Sequence, residues 1–246
     1  MERHVARAAF LVVFLGLLSQ RENRAAAAEA KAAPRIVCDR VVEDFSSTPA
    51  GAFPVGWRTR DADEMPEAKQ RGLYVVEERE GRKVLHAKYR ERAITIGKKI
   101  PSWNLEQYPF LEWEWRVEVL PERGNERDSS TNDSAAGVYV IWDVGFPFHV
   151  DGIKYAWSTT LPTGSRLSRR LGHDQLLVME SGRDHRATWR KVRVDVRDHH
   201  ARFFGRETPR SPDGIALLTD ADATSSAAEA YYANFRLCRT APVISP

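Results

Sequence analysis

Apolar and charged side chains alternate most clearly between residues 110 and 120. A period of two is typical of a β-strand, because successive side chains point to opposite faces. Trp113 and Trp115 share the apolar face with Leu111 and two valines. Only an opposing sheet of similar size can cover so large an apolar surface. This strand therefore predicts a β-sandwich.

Further strand patterns occur at residues 137–142, where both faces are apolar, and at residues 153–158. Two polar stretches rich in turn-forming residues, 121–135 and 162–174, predict long loops, and we expect the first of them to be mobile. The spacing of strands and turns is that of an all-β domain.

The C-terminal half adds two strand patterns, residues 175–181 and 188–196, that predict a hairpin. Residues 197–205 break the strand period and predict a short helical turn ended by Gly205. In total the sequence predicts ten or eleven strands and little helix. The expected fold is an all-β, jelly-roll-like antiparallel sandwich.

The N-terminus differs from the rest of the chain. Residues 8–18 are apolar, follow Arg3 and Arg7, and are too few to span a bilayer comfortably. This pattern predicts that residues 1–24 are a signal peptide, with an uncleaved membrane anchor as the alternative. An Ala-rich tether (25–34), one domain (35–240) and a short tail (241–246) follow. We therefore expect an exported protein, either periplasmic or secreted.

Charge narrows the choice of partners. The 246 residues carry a formal net charge of +3, and the charges of the chain after residue 33 nearly balance. Balanced charge gives no electrostatic reason to bind nucleic acid or anionic lipid. We expect no nucleic-acid partner, and membrane contact only through an uncleaved N-terminal segment.

The chain has two cysteines, Cys38 and Cys238, each inside a strand-like segment near one end of the predicted domain. First and last strands are neighbours in many sandwiches, and an oxidising compartment would let the pair close. We predict a Cys38–Cys238 disulfide, with two buried free thiols as the alternative.

Several motifs occur in an order that resembles a family of exported bacterial proteins defined only as a domain of unknown function. The motifs span roughly residues 40–240. They are Pro54–Trp57 (Pro-Val-Gly-Trp), Leu111–Val117 (Leu-x-Trp-x-Trp-Arg-Val), a polar loop before a Val-Tyr-Val strand, Tyr155–Ser158 (Tyr-x-Trp-Ser), Phe204-Gly205 and Thr219–Thr224 (Thr-Asp-x-Asp-x-Thr).

The resemblance implies a sandwich related in shape to carbohydrate-binding modules, which is a statement about fold alone. The chain departs from the family pattern at two positions. Asn132-Asp133 stands where paired acids are expected, and Ala223 stands where Asn is expected. Both changes remove oxygen ligands and weaken the case for an acidic site.

Asp220, Asp222 and Thr224 are spaced at i, i+2 and i+4, which lets a loop wrap a hard cation such as calcium. The alternative is a turn in which these side chains accept backbone N–H bonds. We expect no cofactor other than a structural calcium ion at this loop.

Glu112 and Glu114 point to one face of the strand around Trp113 and could form an acid–base pair for glycoside cleavage. Residues two apart on a strand lie about 7 Å apart, within the range of about 6.5–9.5 Å for inverting enzymes. Arg116 on the same face favours a charge-balanced surface instead. Asp133 is a third candidate for such chemistry.

Seven tryptophans suggest surfaces for sugar stacking, because an exposed indole can cover the C–H groups of a pyranose. Trp157, beside the loop 162–174, is the main candidate and Trp103 is the second. Tyr155 shares the face of Trp157, and Asp133 lies in the other long loop. We expect these four residues to bind a ligand.

The sequence favours a non-enzymatic module that binds a glycan or similar extended ligand. One alternative is a glycan-active hydrolase or lyase that uses Glu112, Glu114 or Asp133. A second alternative is a structural envelope protein.

Overall fold

The computed structural model describes residues 35–145, 149–205 and 211–241. Residues Ile36–Thr240 form one compact unit made of two β-sheets. The predicted signal peptide, the tether and the tail after residue 241 lie outside the described residues. None of the helices in the described ranges has the length and apolar character needed to cross a bilayer.

Thirteen strands and two α-helices occur in the described part of the chain. The strands are β1 (Ile36–Glu43), β2 (Arg58–Thr59), β3 (Tyr74–Arg79), β4 (Arg82–Lys88), β5 (Ile96–Lys99), β6 (Phe110–Val119), β7 (Ala136–Gly145), β8 (His149–Ser158), β9 (Arg166–Arg169), β10 (Asp174–Ser181), β11 (Arg190–Asp195), β12 (Gly214–Leu218) and β13 (Glu229–Thr240). The helices are α1 (Glu64–Gln70) and α2 (Val196–Phe204), and short 3₁₀ segments cover Ser129–Thr131 and Arg170–Gly172.

The six-stranded sheet has the order β11-β6-β13-β4-β3, and β1 also pairs with β13. The seven-stranded sheet has the order β2-β5-β12-β7-β8-β10-β9. All pairings are antiparallel except β8 with β10, which is parallel. The predicted jelly-roll-like sandwich is confirmed, with more strands than the ten or eleven expected.

The core lies between β6 and β8. Trp113 and Trp115 of β6 have no exposed area, and they face Tyr155 and Trp157 of β8. Ring centroids are 5.7 Å apart for Trp113 and Tyr155 and 5.9 Å apart for Trp115 and Trp157. The alternation in β6 thus selects the buried face correctly, because indole burial is worth more than that of any other side chain on the strand.

The predicted disulfide is confirmed. Cys38 on β1 and Cys238 on β13 are bonded with an S–S distance of 2.05 Å. The antiparallel pairing of the first and last strands brings the two residues together across 200 positions of sequence. The bond fastens both ends of the domain to each other.

Two strand connections differ from the sequence prediction. The segments predicted as a hairpin are β10, in the seven-stranded sheet, and β11, in the six-stranded sheet. The chain crosses between the sheets after β10, because Leu177 and Met179 of β10 pack against the same core as Val192 and Val194 of β11, from the opposite sheet. Residues 162–174 are not one loop, since they contain β9 and a 3₁₀ segment.

Helix α2 confirms the predicted helical turn. The Asp195 carboxylate caps its start by accepting a bond from the Asp198 backbone N–H at 2.8 Å. Gly205 ends it in the left-handed conformation, with φ of 66°. His200 is buried beside Trp142, with ring centroids 4.8 Å apart, so α2 covers one part of the core.

Candidate functional site

The aromatic residues predicted to stack on sugars lie in the core. Trp103, Tyr155 and Trp157 have no exposed area. The indole of Trp157 donates to the Gly182 carbonyl at 3.1 Å, and that of Trp103 donates to the Tyr108 carbonyl at 3.0 Å. A ring covered by protein on both faces cannot stack on a ligand, so their assignment as ligand-binding residues is corrected. The strength of the hydrophobic effect decides their position.

The candidate acid–base pair lies on the outer face of the six-stranded sheet, within ion pairs. Arg193 donates to Glu112 through Nη2 at 2.5 Å and Nε at 3.0 Å. Glu114 accepts from Arg82 at 2.5 Å and from Asn234 at 3.1 Å. Burial works to raise the pKa of Glu114, but these two bonds outweigh it and the pKa is lowered.

A general acid for glycoside cleavage must hold a proton at the working pH. Glu114 is kept ionised and Glu112 is held by a guanidinium. The outer face of the six-stranded sheet is therefore the charge-balanced surface that Arg116 suggested, and it gives the catalytic alternative no support.

Asp133 lies inside the protein, although its position in a polar loop suggested an exposed side chain. It is fully buried and accepts bonds from the backbone N–H of Ala223 at 3.2 Å and of Thr224 at 2.7 Å. The Thr224 hydroxyl also donates to it at 2.6 Å. The loop 121–135 is thus bonded to the segment 219–224, and the expectation of a freely mobile loop is corrected.

The predicted calcium ligands join Asp133 in one cluster. Carboxylate oxygens of Asp133, Asp220 and Asp222 lie within 4.8 Å of one another. The backbone N–H of Asp222 bonds to Asp220 Oδ1 at 3.1 Å, which is the turn geometry named as the alternative. Thr224 donates its hydroxyl to Asp133 and so is less suited as a ligand than the sequence suggested.

Calcium binding at this cluster stays a prediction. Three carboxylates supply the hard oxygen donors that calcium prefers. We expect calcium to raise the midpoint of thermal unfolding relative to a chelator, because an ion bound only to the folded state stabilises it. An Asp222→Asn variant should lose the shift, and an unchanged midpoint in the native protein would contradict the prediction.

Sequence reasoning missed a buried lysine next to this cluster. Lys154 on β8 is 9% exposed, and its ammonium donates to the Ser134 hydroxyl at 2.9 Å. Ser134 in turn donates to Glu126 at 2.7 Å, and Ser158 donates to the same carboxylate at 2.5 Å. Glu126 has no exposed area. A buried cation thus faces a buried anion through one hydroxyl.

Strand alternation could have identified Lys154. Tyr155 points into the core, so Lys154 points to the outer face of the seven-stranded sheet, opposite Tyr139 on β7. Gly137 provides the room, because a Cβ there would lie 2.7 Å from Lys154 Cε. Burial works to lower the pKa of Lys154, but Tyr139 and the carboxylates of Glu126 and Asp220 outweigh it, and the pKa is raised.

A cavity of about 190 Å³ opens on this outer face, and we call it the Lys154 cavity. Amide, guanidinium, ammonium, phenol and carboxylate groups line it together with three leucines. The lining residues are Asn132, Tyr139, Gly152, Lys154, Leu167, Arg169, Asp174, Gln175, Leu176, Leu218 and Asp220.

Asp220 joins the Lys154 cavity to the carboxylate cluster. Burial raises the pKa of Asp220 to about 7, and the charges of Asp222 and Asp133 add to this rise. The bond from the Asp222 backbone N–H and the charge of Lys154 act in the opposite direction. Asp220 is 8% exposed and lines the cavity. It can therefore donate or accept a hydrogen bond near neutral pH. A shifted carboxyl group in a cleft is a frequent mark of a functional site.

These features define a class of protein, a disulfide-bonded β-sandwich with a polar cavity on the outer face of one sheet. The chain belongs to the family described as "Protein of unknown function (DUF3047)", which matches residues 55–236. The family resemblance predicted from the motifs is confirmed. No curated protein matches the chain.

Solved structures that resemble the fold include carbohydrate-binding modules and a glycoside hydrolase. The family 11 carbohydrate-binding module of the cellulase Lic26A-Cel5E of Clostridium thermocellum is 8% identical, with a TM-score of 0.39 over 82% of this chain and 94% of that chain. The mannan-recognising module TmCBM27 is 12% identical, with a TM-score of 0.39 over 84% and 99%. Endoglucanase 3 from family GH12 of Trichoderma harzianum is 11% identical, with a TM-score of 0.38 over 87% and 100%. Similarity at this level carries no argument about a ligand.

Proposed function

We propose that this protein is a non-enzymatic glycan-binding module, and that the Lys154 cavity holds a sugar residue of the glycan. The observation that carries the proposal is the mixture of groups in the cavity. Sugar hydroxyls both donate and accept hydrogen bonds, so a sugar site needs both kinds of partner close together.

The cavity supplies both kinds on nearby elements. Lys154 and Arg169 donate only, whereas Asp220 accepts when ionised. Arg169 is oriented by a bond from its Nη1 to the Asn132 side-chain oxygen at 2.9 Å. A donor whose rotamer is already fixed costs less entropy when a ligand binds.

The remaining lining suits the other surface of a sugar. Leu176 and Leu218 contribute apolar area beside these polar groups. The C–H faces of a pyranose are apolar, so a lining that contains both leucines and polar groups suits both kinds of surface on the same ring. The volume of about 190 Å³ is below the roughly 300–1,000 Å³ of pockets for drug-sized ligands, and fits one sugar residue rather than a buried chain.

Export to an oxidising compartment is part of the proposal. The Cys38–Cys238 bond supports it, because disulfides persist mainly outside the cytosol. Extracellular or periplasmic glycans would then be within reach of the module.

The test blocks the cavity without touching its polar groups. Gly152 lines the cavity, and a Cβ there would have no heavy atom within 4 Å. A Gly152→Val variant should fold normally and lose at least about tenfold in affinity for a saccharide found on a glycan array. Isothermal titration measures the affinity, and thermal unfolding checks the fold.

Gly97→Ala is the matched control. Gly97 is on β5 of the same sheet, and its added Cβ would make ordinary contacts of 3.5 and 3.8 Å. The control should bind like the native protein. Equal binding by Gly152→Val and the native protein would exclude the cavity, and the absence of any saccharide ligand would favour the structural envelope alternative.

A second candidate function, glycoside hydrolysis, is favoured by one observation. The pKa of Asp220, raised to about 7, leaves this carboxyl group partly protonated near neutral pH, as a general acid requires. Under this alternative the acid is Asp220 rather than Glu112 or Glu114. An Asp220→Asn variant should then stop the release of reducing ends while still binding the saccharide, whereas the binding module releases none in either form.

A further inference from the structure

The turn Arg170–Gly172 has an unusual backbone. Its three residues all have positive φ, of 48°, 56° and 96°. The middle residue, Leu171, is 95% exposed. Among the described residues, Leu171 alone is both a large exposed apolar residue and a non-glycine residue with positive φ.

This combination works against folding. A left-handed conformation crowds the Cβ of an L-residue against its own carbonyl, and glycine or asparagine adopts it at lower cost. An exposed leucine needs no special explanation by itself. A leucine that is held in a disfavoured conformation with its side chain in solvent does need an explanation, because a smaller or polar residue at this position would give a more stable fold.

Contacts on both sides impose the conformation. The His173 backbone N–H bonds to the Arg170 carbonyl at 3.1 Å, and the Arg170 guanidinium pairs with Asp174 at 3.0 Å. Gln175 Nε2 donates to the Gly172 carbonyl at 2.8 Å. Strained residues persist where their surroundings fix them in this way, and such residues are concentrated at ligand contacts.

The turn borders the Lys154 cavity directly. Arg169 comes immediately before it, and Asp174 and Gln175 follow closely after, and all three line the cavity. We propose that Leu171 is the apolar contact for the glycan residue next to the one in the cavity. This inference rests on the function proposed above.

The apolar contact with the sugar then comes from a leucine rather than from a tryptophan. Leucine has no flat ring for stacking, but its exposed methyl groups can cover sugar C–H groups, whereas the predicted indoles are buried. The fixed backbone holds the side chain outward before the ligand arrives, which lowers the entropic cost of binding.

Two substitutions of one residue separate strain from contact. Leu171→Ala removes the apolar contact and keeps the crowded Cβ, whereas Leu171→Gly removes both. We expect each variant to bind a tetrasaccharide about tenfold more weakly while its affinity for the monosaccharide stays unchanged. Leu171→Gly should also unfold about 2–4 °C higher than the native protein, and Leu171→Ala should not.

The probes are glucose with cellotetraose and mannose with mannotetraose, measured by isothermal titration on the purified protein. Val55→Ala, another exposed apolar residue, is the control and should change neither affinity nor unfolding. Unchanged tetrasaccharide affinity in both Leu171 variants would overturn the inference and leave the proposed function standing. A native protein that binds neither tetrasaccharide would overturn the inference, whereas only the lack of any saccharide ligand on the glycan array would overturn the proposed function as well. An unchanged midpoint in Leu171→Gly would remove the strain on which the inference rests and would also count against it.

Discussion

The strands of the six-stranded sheet carry 20 Asp, Glu, Lys and Arg residues and those of the seven-stranded sheet carry 10, and the two sheets also arrange them differently. On the six-stranded sheet, Glu112 pairs with the guanidinium of Arg193, and Glu114 pairs with that of Arg82. On the seven-stranded sheet, loops fold over the strands and bury Glu126, Asp133 and Lys154. On the outer face of the six-stranded sheet the Glu112 side chain is 8% exposed and that of Glu114 is 18% exposed, within direct ion pairs, whereas the outer face of the seven-stranded sheet contains a cavity.

The difference shows what turns a charged sheet face into a site. Ion pairs between neighbouring strand side chains satisfy each other directly, and solvent screens the members that it reaches. Charges covered by loops must be satisfied within the protein, and an incomplete match leaves a group such as Asp220 with a shifted pKa. Burial under the loops, rather than position on a strand, therefore produces the shifted pKa.

The largest expected effect comes from removing the buried cation. A Lys154→Met variant leaves the Glu126 carboxylate buried without its counter-charge, which should lower the free energy of unfolding by about 3–5 kcal/mol. Lys191→Met on the other outer face is the control, because the side chain is 60% exposed and 3.9 Å from Glu112, and should cost less than about 1 kcal/mol. Urea unfolding measures both. Equal losses would mean that burial does not distinguish the two faces.

The substitution Asp220→Asn should change the free energy of unfolding by a smaller amount, and this change should depend on pH. The pKa of Asp220 in the folded protein, about 7, is above its ordinary value of 3.8, so the folded state holds the proton between these values. Its contribution to stability therefore falls as pH rises through this window. The variant should be more stable than the native protein by on the order of 2 kcal/mol at about pH 8, and the gain should vanish toward about pH 4.

Asp39 on the six-stranded sheet should show the opposite dependence of stability on pH. A hydrogen bond from Arg239 lowers the pKa of Asp39, so its contribution is present above its ordinary pKa and is lost in acid. Asp39→Asn should therefore give no gain at high pH. Urea unfolding across the pH range compares the variants, and a gain from Asp220→Asn that does not change with pH would contradict the assignment.

The smallest effect is expected on the outer face of the six-stranded sheet, where the Glu114 side chain is 18% exposed. Glu114→Gln weakens the bonds from Arg82 and Asn234 but leaves solvent to replace them, so it should change the free energy of unfolding by less than about 1 kcal/mol. Saccharide affinity should not change. A loss of glycan binding in this variant would move the site to the six-stranded sheet.

Much of the fold followed from the sequence because local rules and tertiary packing agree. The alternation in β6 identified its buried face, Gly205 marked the end of α2, and the positions of Cys38 and Cys238 predicted their bond. The hairpin prediction was wrong because two neighbouring strand patterns do not specify whether the chain turns back or crosses to the other sheet.

Only part of the candidate site could be predicted from the sequence. Asp133 and Asp220 were identified separately, as a loop acid and a calcium ligand, and the structure brings both into one cluster. Lys154 and Glu126 were missed because a charged residue on a strand or in a polar loop is normally exposed. The tryptophans were a poor guide to ligand binding, since large aromatic rings gain most from burial in the core.

The sequence by itself determined the class of fold, the buried face of the central strand and the pairing of the cysteines. These depend on periodicity and on chemistry that few neighbours can alter. Only the tertiary structure decided where the cavity lies and which residues line it. Its groups come from Asn132, Lys154, Arg169 and Asp220, which lie far apart in the chain. Their pKa values and hydrogen bonds depend on burial by loops, and burial is a property of the folded chain as a whole.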